Sequence, residues 1–168
     1  VLPNGINMAK CFLALANYVK AAPLNPNYTE EEFIFYLEDL ECKYVVTDES
    51  VSNNLKNAAK KTNTELFFIE SDEVNNSLKL KSLDTTKNLA LKPNFNNDQC
   101  LILHTSGTTS KPKQVQLSTK NILSSASNIA NTLRLSNVDK GLNIMPLFHI
   151  HGLIASLLSS VFSGGCLV

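Results

Sequence analysis

Tryptophan is absent from the sequence and aromatic residues make up only 7% of it, too few for the stacking platforms that hold single-stranded nucleic acid. An excess of either charge is missing too. Fifteen Lys and Arg balance fifteen Asp and Glu, so neither nucleic acid nor an anionic membrane is implied as a partner. No apolar run reaches the roughly eighteen residues that a membrane span needs. The four cysteines, Cys11, Cys42, Cys100 and Cys166, form no C-x-x-C pair. Each lies in or beside an apolar run, where cysteine behaves as a small buried hydrophobe, and they are read as reduced thiols. Internal repeats are absent, and no basic-then-apolar leader follows the first residue, a valine. The Asn-Tyr-Thr at Asn27 and the Asn-Asn-Ser at Asn75 are read as chance matches to glycosylation acceptors in an asparagine-rich chain.

What is present is globular: 168 residues, 43% hydrophobic and 18% charged, enough for one compact domain with a core. Met8–Val19 carries Met8, Phe12, Leu15, Ala16 and Val19 on one helical stripe. Two prolines, Pro23 and Pro26, then break the helix. Thr29 and Glu32 form a T-x-x-E capping box before Phe33, Ile34, Leu37 and Leu40, a second helix ending near Glu41. Lys43–Thr47 reads as a strand, Ser50–Lys61 as a polar helix and Glu65–Ile69 as a strand, together a parallel βαβ unit. Residues 71–98 are expected to be a surface connection with at most short structure. Cys100–His104 and Gln114–Leu117 read as strands, and Ser118 or Thr119 caps a helix to about Leu133, with Ile122, Ala126, Ile129 and Leu133 on one face. A strand at Leu142–Met145, a loop at Phe148–Gly152 and an apolar helix at Leu153–Phe162 complete the pattern. The expected fold is α/β, layered, with a largely parallel sheet flanked by helices. The closing Gly-Gly-Cys-Leu-Val reads as a turn entering a strand, so the chain is expected to be a fragment.

The stretch that carries chemistry is His104–Lys113, HTSGTTSKPK, directly behind a buried strand. Hydroxyls, a glycine and a lysine at a strand end suit phosphate, because backbone N–H groups and short side chains wrap anionic oxygens while the ammonium adds charge. A Walker loop counted from Gly107 places Lys113 on its lysine, but Pro112 takes the second glycine and Gln114 the magnesium-binding hydroxyl. The following segment also reads as a strand, where a Walker loop opens into a helix. A G-x-G-x-x-G fingerprint fails, since Gly107 is the loop's only glycine.

Thr105–Lys113, TSGTTSKPK, resembles the phosphate-loop signature of the acyl-adenylate-forming superfamily of acyl-CoA synthetases, coumarate-CoA ligases and luciferases. Pro23–Asp39 resembles the family's upstream Thr-Glu-Glu helix region, and Met145–Leu153, MPLFHIHGL, its acyl-pocket segment. Two positions depart from the pattern, Ser110 and Gln114, where the family usually carries glycine. A serine forced to positive φ at 110 would cost roughly 1–2 kcal/mol. The TSGTTS loop and the PLFHIHGL segment together are most similar to the oxalate-CoA ligase branch.

That resemblance implies a ligase using ATP with Mg2+ and CoA, which activates a small-molecule carboxylate as acyl-adenylate and then forms a thioester. Thr105, Ser106, Gly107, Thr108 and Thr109 would cradle the β- and γ-phosphates, and Lys113 would stabilise the departing pyrophosphate. His149 maps onto the family's pocket histidine, near the acyl carboxylate and the α-phosphate. His151 could meet the second carboxylate of a small dicarboxylate, or simply pack at a helix start. His104 is read as structural, and an H-x-H metal pair at His149 and His151 is disfavoured for want of a neighbouring third ligand in sequence. The family's adenine-, ribose- and lysine-bearing segments are not found. Residues 1–168 are thus expected to be a partial AMP-binding N-terminal domain without the C-terminal lysine domain, inactive alone. Medium-chain or coumarate-type acids, or a non-catalytic phosphate-binding or interaction module, are the alternatives. Cytosol and peroxisome are both open.

Overall fold

The computed structural model describes residues 1–72, 75, 77–82, 98–105 and 112–168. The chain forms two compact units, one of Val1–Pro3 with Leu24–Leu91 and one of Asn4–Pro23 with Lys92–Val168.

The first unit is built on two helices and a mixed sheet. Helix α2, Glu30–Asp39, begins at the expected box: the Glu32 N–H donates to Thr29 Oγ1 at 3.3 Å and the Thr29 N–H to Glu32 Oε2 at 2.8 Å. It ends in a left-handed residue, Glu41 at φ 48°, so the Cys42 N–H can reach back to the Leu37 carbonyl at 2.9 Å. Strand β1, Tyr44–Thr47, helix α3, Asn53–Lys61 with Ser52 as its cap, and strand β2, Glu65–Asp72, form the expected parallel unit, with Val45 opposite Leu66 and Val46 opposite Phe67. Phe33, Leu37, Val45, Leu55 and Ala58 bury the apolar faces of these elements in one core. The 71–98 stretch holds more than a connection. Strand β3, Ser77–Ser82, runs antiparallel to β2 with Leu80 opposite Ile69, while residues 83–97 lie outside the described set. Its S-L-K-L-K-S alternation and lysines are those of an edge strand.

In the second unit, helix α1 spans Ile6–Leu15, four residues short of the expected Val19. Asn17 Nδ2 donates to the Leu13 carbonyl at 3.2 Å, and Ala21 pairs beside Leu101 through the Ala21 N–H to Cys100 carbonyl and Ile102 N–H to Ala21 carbonyl bonds, both 2.9 Å. The Tyr18 and Val19 N–H groups both close on the Leu15 carbonyl, at 2.8 and 3.0 Å, so the chain has left the helix before Ala21 joins β4. Strands β4, Gln99–His104, and β5, Gln114–Ser118, form an antiparallel hairpin with Leu103 opposite Val115. Helix α4, Thr119–Leu133, starts on Ser118, whose Oγ accepts from the Asn121 N–H at 3.0 Å. Ile122, Ala126 and Ala130 form its buried face, whereas Leu133 is exposed. The expected strand at Leu142–Met145 lies earlier, as β6, Lys140–Gly141, parallel to β7, Cys166–Leu167. Leu142 and Ile144 are 75% and 80% exposed, so their apolar alternation has no covering neighbour among the described residues. His151 and Gly152 belong to the last helix rather than to a loop. Its first eight residues, His151–Leu158, are π-helical and continue as α5, Ser159–Phe162. The class is α/β as expected, and the described strands form three separate sheets: β1–β2–β3, parallel then antiparallel, the antiparallel pair β4/β5, and the parallel pair β6/β7.

Candidate active site

Two segments carry the predicted residues, and each follows the carboxyl end of a strand of the second unit. The first is the loop of the β4/β5 hairpin. Leu101, fully buried, and Cys100, 3% exposed, anchor β4, so the strand delivers His104 and Thr105 to the surface in a fixed register. His104 is half-buried and pairs with Gln114, a place in the ladder that fits its structural reading. Beyond that pair the loop closes on itself. The Thr105 N–H donates to the Lys113 carbonyl at 3.0 Å, and the Lys113 N–H to Thr105 Oγ1 at 3.4 Å. Thr105 and Lys113, predicted to act together, therefore face each other across the base of the loop, both exposed.

Ser106, Gly107, Thr108 and Thr109, predicted to cradle phosphate, lie outside the described residues, as does Ser110. Gln114 needs no glycine-like backbone, for it sits in β5 as an ordinary extended residue opposite His104. The departure from the family pattern at that position is absorbed by a regular strand.

The second segment is the turn Pro146–His149, which leads into the π-helix. The His149 N–H donates to the Pro146 carbonyl at 3.1 Å, and the His149 carbonyl accepts from the Leu153 N–H at 3.0 Å. The His149 ring lies 4.9 Å from the half-buried Phe148 ring, tilted by 49°. Leu147, 3% exposed, points inward, and its N–H donates to Asn4 Oδ1 at 2.9 Å. His149 and His151 are both exposed at the start of the helix, free of the packing that would bury a structural histidine. Widened π turns often lie at functional sites, because they displace side chains from the ordinary helical spacing.

Sequence reasoning missed Asn4 and Gly152. A Cβ on Gly152 would fall on the Pro146 carbonyl oxygen, 2.8 Å from its carbon and 2.9 Å from the Met145 oxygen. Asn4 belongs to no motif, and Gly152 entered only as part of MPLFHIHGL with no role of its own; the contacts in the fold reveal both.

The donor chemistry of the two segments is cationic or neutral throughout. The hydroxyl of Thr105, the ammonium of Lys113 and the imidazoles of His149 and His151 suit an anionic ligand. All four cysteines are free thiols, and burial pushes Cys11, Cys42 and Cys100 up, toward the neutral, unreactive form. Among the described residues no group of three His, Cys, Asp or Glu side chains is placed to hold a metal ion.

Residues 1–168 match the family described as AMP-binding enzyme. The chain is 40% identical to a probable CoA ligase of Humulus lupulus over 96% of its own length and 32% of the relative's. It is 38% identical to an oxalate–CoA ligase of Saccharomyces cerevisiae, over 98% of its own length and 35% of the relative's. It therefore spans about a third of the curated relatives it matches. In structure it resembles an o-succinylbenzoate CoA synthetase of Bacillus subtilis solved with its acyl-adenylate intermediate, with a TM-score of 0.75 and 29% identity over 100% of this chain and 41% of that one.

Proposed function

The chain belongs to the AMP-binding enzyme family, and from that premise we propose that it is part of an ATP-dependent, AMP-forming acid–CoA ligase acting on oxalate or another small acid. The observation that carries the reading is the loop base. Thr105 and Lys113 are held opposite each other at the end of a buried strand by one backbone bond and by the Lys113 N–H donating to Thr105 Oγ1. Such a base fixes the spacing of Thr105 and Lys113, so a phosphate held between a hydroxyl and an ammonium there would meet groups already in place.

In the first half-reaction the acid's carboxylate oxygen attacks the α-phosphorus of ATP. The bond from that phosphorus to the bridging oxygen breaks, and pyrophosphate leaves with its electron pair. Lys113 offsets the charge gathering on the departing group, and Thr105, bonded to it, keeps its backbone in place. Mg2+ bound with the nucleotide would neutralise further phosphate charge; Thr105 can face the phosphates, while no acidic ligand set for the ion is found among the described residues. His149, exposed at the end of the Pro146–His149 turn, would donate to the acid's carboxylate. His151, two residues on, is suited to a second anionic group, which supports a small dicarboxylate. In the second half-reaction the CoA sulfur attacks the acyl carbon, and AMP departs from it.

The test is pyrophosphate release by the enzyme expressed from the complete reading frame, offered oxalate, acetate, octanoate and coumarate in turn with ATP and CoA. Oxalate is expected to turn over best. Release with none of the acids would sink the ligase reading, whereas fastest turnover of octanoate or coumarate would remove only the preference for a small acid.

A further inference from the structure

The turn that presents the two histidines is held from both sides, by Gly152 at the end of the motif and by Asn4 far outside it. Its Pro146 carbonyl accepts the His149 N–H at 3.1 Å. The same oxygen lies against the bare Cα of Gly152, where a Cβ would overlap it and would stand 2.9 Å from the Met145 oxygen as well. These are backbone atoms, so they cannot rotate away as a long side chain would. From the other side, Asn4 Oδ1 accepts the Leu147 N–H at 2.9 Å, across 143 residues of sequence. Leu147 itself is 3% exposed, so its amide has little access to water as an alternative partner. The turn is thus pinned at Pro146 by Gly152, at Leu147 by Asn4, and at His149 by its bonds to Pro146 and Leu153.

We propose that Gly152 and Asn4 are positioning residues of the acid site: they set where His149 and His151 stand, and through them how the acid's carboxylate is aimed at the α-phosphate. The inference rests on the ligase reading above. Neither residue needs to touch the substrate. Gly152 lets the first π turn approach the Met145–Pro146 backbone closely. Asn4 anchors the turn to the segment that leads into α1. A methyl group at position 152 pushes the Pro146 carbonyl away, takes the acceptor from the His149 N–H and swings the ring that follows.

The test uses the enzyme from the complete reading frame and measures KM for the acid and for ATP separately, alongside thermal stability. Gly152→Ala is expected to raise the acid's KM roughly 10- to 100-fold, the cost of an ångström-scale misplacement, and Asn4→Ala about fivefold, the worth of one hydrogen bond. In both variants KM for ATP is expected to stay within about twofold, since the Thr105–Lys113 base is untouched. Asn4→Asp, which keeps the acceptor oxygen, should recover most of the lost affinity for the acid. Gly165→Ala is the control for crowding alone. Its Cβ would stand 3.0 Å from the Asp139 and Ser136 carbonyls, away from the histidines, so it should lower the melting temperature and leave KM for the acid unchanged. Should Gly152→Ala fail to fold, the Asn4→Ala and Asn4→Asp pair decides. An active wild type whose folded Gly152→Ala and Asn4→Ala variants keep the acid's KM would overturn this role and leave the ligase reading standing. A wild type that forms no acyl-CoA with any acid would overturn both.

Discussion

Thr105 meets Lys113 twice, through its own N–H at 3.0 Å and through its hydroxyl at 3.4 Å, and substitution can separate the two. Thr105→Val keeps the backbone bond and the β-branched shape but loses the hydroxyl, so pyrophosphate release should fall about 3- to 10-fold, while Thr105→Ser should stay near wild type. Lys113→Ala tests the role proposed for its charge at the leaving pyrophosphate. Turnover should fall on the order of 100-fold with less change in KM for the acid, and an equal rise in both KM values would contradict that role. Gln114 shows the limit of reading single residues: glycine is usual there in the family, yet an extended strand position tolerates glutamine. Glu41 is the reverse case. Helix α2 was expected to end near it, but its φ of 48° appears only in the folded chain. Glu41→Gly should stabilise by about 0.5–1 kcal/mol, measured by denaturant unfolding, because glycine meets no Cβ penalty there.

At the scale of elements, the caps were the most legible feature. Thr29 and Glu32 bond reciprocally as their spacing requires, and Thr29→Ala should cost about 1 kcal/mol. Ser118, one of two candidate caps in the sequence, is the cap in fact. Its extended backbone at φ −81°, ψ 161° lets the hydroxyl turn back to Asn121. Helices α2 and α3 are tied by an ion pair, Lys61 Nζ to Glu30 Oε1 at 2.6 Å, with Asn57 Nδ2 donating to Glu30 Oε2 at 2.9 Å. The bonds from Lys61 and Asn57 hold the Glu30 carboxyl below the usual glutamate range. A depressed pKa in the folded state means that stability is present above the unfolded value and is lost as pH falls through the folded one. The melting temperature should therefore drop on acidification below the ordinary glutamate range, and more shallowly in Glu30→Gln, although an exposed pair makes this difference small. The end of α1 and the start of the last helix were less legible. Both depend on backbone bonds that no stripe encodes: the Tyr18 and Val19 N–H groups close on the Leu15 carbonyl before Ala21 joins β4, and the Pro146–His149 turn lets helical structure begin at Ile150.

For the whole molecule, the 168-residue chain alone exposes Leu142, Ile144 and Val168 at 75%, 80% and 72%, beside the short pair β6/β7. Such an uncovered apolar edge favours pairing between copies. The isolated chain is expected to self-associate in light scattering and to form no acyl-CoA, and Leu142→Lys with Ile144→Lys should return it toward a monomer. The sequence by itself determined the α/β succession, the Thr29–Glu32 cap and the family, because each rests on spacings within a few residues or on a local string of side chains. Only the tertiary structure decided where α1 stops, that β3 pairs with β2, and that Thr105 closes on Lys113. It alone brought Asn4 to Leu147 and set Gly152 against Pro146. Those outcomes depend on which backbone groups meet after the chain has folded, and no local pattern encodes a meeting between residues 143 positions apart.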